Sequence, residues 1–126
     1  MSEAADVVRR LWELYDAREW DAARQLFAED VVCEWPHSCE RIRGRDNVIE
    51  LNRIYPDWDS LRVERLVADG DRVTSLVRVE AGDDVVWAAS FFELADGLIE
   101  RMFELWVDEG MQDTPEWRAH LVEPLE

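Results

Sequence analysis

The chain has 126 residues, 48% hydrophobic and 35% charged, which is the size and composition of one ordinary globular domain rather than a disordered or fibrous chain. Thirty acidic and 14 basic residues leave a formal charge of −16, and all the basic residues are arginine. An anionic surface of that size repels phosphate backbones and acidic lipid leaflets, so no nucleic-acid partner and no membrane partner is expected.

No run of apolar residues approaches the roughly 20 needed to span a bilayer. The start of the chain, Met1 to Asp6, is acidic and runs into a helix, unlike a secretory leader. The expectation is a cytoplasmic protein with Cys33 and Cys39 as reduced thiols. Cys33, His37 and Cys39 offer three possible zinc ligands, one fewer than a structural site takes and in unfamiliar spacing, so no metal is expected.

In chain order, Val7, Val8, Leu11, Trp12, Leu14 and Tyr15 form a helical stripe that predicts a first helix over 3–17. Trp20, Ala23, Leu26 and Phe27 predict a second, short one. Val31 to Trp35 reads as a strand stopped by Pro36, followed by a polar turn from His37 to Arg41. Asp46 reads as the cap of a third helix with the stripe Val48, Leu51, Asn52 and Tyr55, ended by Pro56. The rhythm then changes to strands at about 61–68, 72–80, 85–94 and 98–107. Their breaks are Asp69-Gly70-Asp71, Gly82-Asp83-Asp84 and Asp96-Gly97, short enough to force antiparallel neighbours. Helices first and a meander afterwards is the α+β pattern, with the helices gathered on one face of the sheet. The whole of 1–126 reads as a single domain, with a C-terminal tail from about 109 that carries Trp117 and drapes over the domain or a partner.

Seven tryptophans are far above ordinary usage. Trp12, Trp35, Trp58, Trp87 and Trp106 fall on different elements, and a set converging from helix, loop and strand points to an aromatic-lined pocket for a small apolar molecule. Asn52 sits on the buried stripe of its helix, where an amide needs a partner in protein, water or ligand. On the last strand one face carries Met102, Glu104 and Trp106, the other Ile99, Arg101, Phe103, Leu105 and Val107. Alternation alone would bury the second face and leave Glu104 in water; coverage of both faces would enclose Glu104 between Met102 and Trp106. Burial there suits a carboxyl to general acid–base work, unless an arginine such as Arg43 or Arg53 reaches in to pair with it. His37, after the Trp35-Pro36 corner, stands where the pocket mouth is expected and is a second candidate proton carrier.

Several segments carry a resemblance. The run Leu26-Phe27-Ala28-Glu29-Asp30-Val31, the strand ending Trp35-Pro36, Gly44-Arg45 before a helix, and the closing strand Gly97-Leu98-Ile99 to Glu104-Leu105-Trp106 are similar to the nuclear transport factor 2-like superfamily, in its SnoaL-like and ketosteroid-isomerase-like branches. The likeness extends to about residue 108. It implies a cone: three N-terminal helices packed in a strongly curved, mostly antiparallel sheet, commonly dimeric through the outer sheet face. It also implies that Met102, Glu104 and Trp106 face the pocket. The superfamily includes isomerases, polyketide cyclases, epoxide hydrolases, dehydratases and proteins without catalysis. Against the ketosteroid isomerases, Trp35 stands where the base aspartate would be and Leu11 where the oxyanion tyrosine would be. Ala89 or Ser90 replaces the second aspartate. Double-bond isomerisation of the steroid type by that mechanism is therefore not expected.

The resulting expectation is a SnoaL-like protein that binds a small, largely apolar carbonyl or hydroxyl compound and isomerises, cyclises or dehydrates it without a cofactor. Glu104 carries the proton, with His37 second. Asn52 and Tyr55 orient the polar group, and Tyr15, Trp35, Trp58, Met102 and Trp106 complete the walls. The alternative is a non-catalytic binder or dimeric interaction module in which Glu104 is only a buried hydrogen-bonding group. In either case a homodimer forms through an outer row that includes Ile99, Phe103 and Leu105.

Overall fold

A six-stranded sheet, ordered β2-β1-β6-β5-β4-β3, is the frame of the molecule. The structure, a computed structural model, describes residues 2–125; Met1 and Glu126, the ends of the expected domain, lie outside the described residues. Helix α1 (Glu3–Asp16) starts at Ser2, whose hydroxyl accepts the amide of Ala5 at 3.0 Å. It buries Ala4, Val8, Leu11, Trp12 and Tyr15, one face at i, i+4, i+7, i+8 and i+11. Each large side chain of that stripe contributes about 1.5–3 kcal/mol by leaving water. Helix α2 (Trp20–Arg24) is short and ends before Phe27.

Strand β1 runs from Phe27 to Trp35, four residues earlier than the sequence pattern predicted. The acidic pair Glu29-Asp30 hides the strand in sequence, yet Phe27 and Val31 on either side of it are fully buried. The stretch read as a polar turn contains a further strand, β2 (Glu40–Arg43), antiparallel to β1 with Cys33 opposite Ile42. Its burial is slight, so periodicity carried no signal there. Gly44 follows with φ +86°, a conformation glycine adopts without strain, and its amide bonds the Val31 carbonyl at 2.7 Å. That turn launches helix α3 (Arg45–Ile54). The N-cap is Gly44, not Asp46; Asp46 lies in the first turn and pairs with Arg24, tying α3 to α2.

The remaining strands are β3 (Ser60–Asp69), β4 (Arg72–Ala81), β5 (Asp84–Ala95) and β6 (Leu98–Asp108), a meander of antiparallel neighbours. Strand β6 then pairs with β1 in parallel, placing Cys33 opposite Met102. Helix α1 lies against β3 and β4 and helix α3 against β1 and β2 of this curved sheet, while α2 packs on the two other helices, in keeping with the α+β pattern.

Two-residue alternation holds along β6 from Arg101 onward: Met102 and Glu104 are buried, while Phe103 and Val107 are exposed. Before that point the register slips. Glu93 pairs with Arg101 but Leu94 with Ile99, so Glu100 is the extra residue of a bulge. Ile99 consequently turns inward and is wholly buried. It does not belong to the outer row in which strict alternation put it; that row is Phe91, Phe103, Leu105 and Val107. A short 3-10 helix (Glu116–Leu121) is the last regular element among the described residues, and none of its residues is buried.

Candidate functional site

Four donors converge on one carboxylate. Glu104 is 4% exposed. Its Oε1 accepts the indole N–H of Trp35 at 3.0 Å, that of Trp106 at 3.3 Å and the thiol of Cys33 at 3.7 Å, while its Oε2 lies 2.7 Å from the Ser90 hydroxyl. Strand geometry explains the convergence. Cys33 and Trp35 share the inner face of β1, two residues apart. Ser90 stands directly opposite Glu104 on β5, and Trp106 follows it by two on β6. Indole nitrogens can only donate, so both of these side chains must find an acceptor when half-buried, and the same carboxylate serves them. Neither Arg43 nor Arg53 pairs with it among the described residues: Arg43 is exposed, and Arg53 is bound to Glu50 on its own helix.

Two small cavities meet at Tyr15 and Asn52, which line both. The first, of about 20 Å³, is walled by Trp12, Tyr15, Trp20, Tyr55, Trp58 and Trp106, with Leu61 and Val79 from the sheet. The second, of about 10 Å³, lies deeper against Cys33, Trp35, Met102 and Glu104, with Ile42, Val48 and Leu51 beside them. Each has room for about one water molecule. The rings support one another: Tyr55 stacks on Trp106 at 5.4 Å, Trp106 meets Trp35 at 6.2 Å, and Tyr15 touches Trp12 at 5.7 Å and Trp20 at 5.5 Å. Trp12 is fixed from behind, its N–H bonded to Ser75 at 3.0 Å.

Two polar groups at this junction are left open. The Tyr15 hydroxyl is buried and has no partner among the described residues. Burial, then the nearby Glu104 charge, then Cys33 hold its proton on to well above the ordinary phenol range. Asn52 gives its Nδ2 to the Val48 carbonyl at 2.7 Å, and no partner among the described residues takes its Oδ1. Desolvation and, after it, Asp108 raise the pKa of Tyr55. The Cys33 thiol is likewise pushed up by burial, with the charge of Glu104 adding to it.

At the half-exposed side of the first cavity the Arg18 guanidinium lies 3.5 Å above the Trp58 ring and bonds the carbonyls of Trp58 and Asp59, each at 3.0 Å. No arginine, lysine or histidine lines either cavity. Among the described residues no group of three or more His, Cys, Asp or Glu side chains gathers as a metal site. Cys33 is buried and Cys39 exposed, on opposite sides of the Trp35 corner.

The structure brings Tyr15, Asn52, Tyr55, Trp58 and Trp106 to one cavity and Trp35, Met102 and Glu104 to the adjoining one. His37 joins neither. It is exposed and stacks on Trp35 at 5.7 Å, the indole whose N–H bonds the carboxylate. The sequence reading missed Trp20, Cys33 and Ser90 as site residues. Cys33 shares strand parity with Trp35 and could have been found that way. Ser90 becomes visible only through cross-strand pairing.

A sequence model of the SnoaL-like domain family matches residues 8–102, and the chain belongs to that family. Among solved structures it is similar to a candidate ketosteroid isomerase from Kribbella flavida DSM 17836, at 35% identity over 98% of this chain and 90% of that one, with a TM-score of 0.87. It shares its fold with an NTF-2 like protein of unknown function from Burkholderia xenovorans LB400 (22% identity, 98% and 96% coverage, TM-score 0.78). It shares it also with an LEH-like epoxide hydrolase from M. tuberculosis (23% identity, 83% of each chain, TM-score 0.68). No functionally curated protein matches. Among the described residues, no helix is long and apolar enough to cross a membrane.

Proposed function

We propose that the chain binds a small, largely apolar molecule in the aromatic cavity and moves a proton on it with Glu104. The observation that carries this reading is the site of Glu104. It is a buried carboxylate with no basic partner among the described residues, on the wall of a cavity also lined by Tyr15, whose buried hydroxyl is unpaired, and by Asn52, whose amide oxygen is unpaired. Tyr15 and Asn52 hold the polar group of the ligand, and the rings of Tyr55, Trp58 and Trp106 exclude water from its apolar part. The donors from Trp35, Trp106 and Ser90 fix the carboxylate in one orientation, the preorganisation that proton transfer needs. Isomerisation, cyclisation and dehydration all need such a group and no cofactor. The 35% identity to a candidate ketosteroid isomerase supports chemistry of that kind.

A non-catalytic binder is the competing reading, and one observation favours it. Glu104 already accepts from four donors, so it has a full structural role without any ligand. The substitution Glu104→Gln separates the two. Solvent-deuterium exchange or turnover of a bound compound should be lost in the variant while binding and folding persist. Undiminished turnover would remove Glu104 from the mechanism.

We further propose a homodimer through the outer sheet face and a cytoplasmic location. The first is supported by the exposed pair Phe91 and Phe103, which touch at 6.3 Å beside a groove of about 390 Å³. The second is supported by the two free thiols.

A further inference from the structure

The cavities differ from an ordinary apolar pocket in their excess of aromatic rings and in having a carboxylate but no basic side chain. Of the nine residues lining the first cavity, six carry aromatic rings, and the only other polar one is Asn52. The second adds the Glu104 carboxylate and the Cys33 thiol. Neither contains an arginine, lysine or histidine, although the chain has 14 arginines. Among the described residues two oxygens of the lining side chains lack a partner, the buried Tyr15 hydroxyl and Asn52 Oδ1.

We propose that the ligand of this cavity carries a positive charge, as a protonated amine or quaternary ammonium group on a small apolar frame. The inference rests on reading the cavity as the binding site and is independent of whether Glu104 moves a proton. Three physical facts converge on it. Aromatic rings present a negative quadrupole to a cation, and cages of several rings hold ammonium groups by that attraction with little hydrogen bonding. A buried carboxylate without a cationic neighbour sets a negative potential in the cavity, which rejects carboxylate or phosphate ligands, since no basic group is there to hold them. The net charge of −16 raises the concentration of cations at the surface and favours their approach. The rim already shows the preference: the face of Trp58 is occupied by the guanidinium of Arg18 at 3.5 Å.

Cavities of about 20 and 10 Å³ do not admit such a group unchanged, so the half-buried walls Tyr55 and Trp58 must swing outward on binding. Trp58 moves by releasing Arg18, which is exposed and loses little by returning to water.

The test compares choline with neohexanol, its uncharged isostere in which carbon replaces nitrogen. Each is titrated into the full chain and followed by tryptophan emission and calorimetry. Choline should bind at least about tenfold more tightly. The ratio should fall towards unity in Glu104→Gln and in Trp58→Leu. The second variant alters a half-exposed wall and carries the test alone if the first fails to fold by circular dichroism. Equal or tighter binding of neohexanol overturns the charge inference while leaving the cavity as a binding site. A tenfold preference that survives both substitutions also overturns it, since the cation is then held elsewhere. If neither compound binds at its highest soluble concentration, the inference falls together with the cavity reading.

Discussion

The indole N–H of Trp35 points at Oε1 of Glu104 across 3.0 Å, joining β1 to β6 where the two strands run parallel. By resemblance to the ketosteroid isomerases, the position of Trp35 would hold a base aspartate. In this chain the only buried carboxylate comes, among the described residues, from β6 and receives the Trp35 N–H as a bond.

Removing that donor while keeping an aromatic ring tests how much the carboxylate depends on it. Trp35→Phe should destabilise the fold by about 1.5–3 kcal/mol, the range for a hydrogen bond to a charged group. The midpoint of urea unfolding measures it. A loss smaller than about 0.5 kcal/mol would mean that water or another side chain replaces the indole.

Trp12 makes a comparable demand from the helix side. Its N–H is bonded to Ser75 in a fully buried setting. Ser75→Ala should cost about 1–3 kcal/mol by leaving a buried donor unpaired, whereas Thr74→Ala, on the exposed face of the same strand, should stay within about 0.5 kcal/mol. Equal effects at the two positions would argue that the bond is immaterial.

The outer row gives a solution-state outcome. Phe91 and Phe103, 46% and 41% exposed, should be covered in a homodimer, and Phe103→Asp should yield monomers in sedimentation velocity. A parent chain that already sediments as a monomer at micromolar concentration would end the dimer proposal.

The buried thiol gives a pH dependence. Burial raises the Cys33 pKa above its ordinary 9.0 in the folded chain, so the folded form keeps a proton that the unfolded form releases. Stability from this group is therefore fully present below about pH 9 and is lost as pH rises beyond it. Tyr15 adds a loss of the same sign above its ordinary 10.0. Unfolding free energy should decline between about pH 9 and 10.5, less steeply in Cys33→Ala. At pH 8 iodoacetamide should label the exposed Cys39 and spare Cys33 until the chain unfolds. Equal labelling of both thiols in the native state would contradict the buried, thiol-donating position of Cys33.

The sequence by itself determined the helical stripe of α1, the meander from β3 to β6, the tryptophan excess and the family likeness. Each of these is written in local periodicity, composition or contiguous motifs. The tertiary structure alone decided three things. It turned Ile99 inward through a bulge whose extra residue, Glu100, has no mark in the sequence. It assembled the donors around Glu104 from residues 14 and more than 60 positions away, as with Ser90, Trp35 and Cys33, because pairing between strands is a non-local choice that spacing cannot express. And it left His37 exposed and stacked on Trp35 rather than lining either cavity, since the direction of a side chain at a corner follows from the turn and the ring it stacks on.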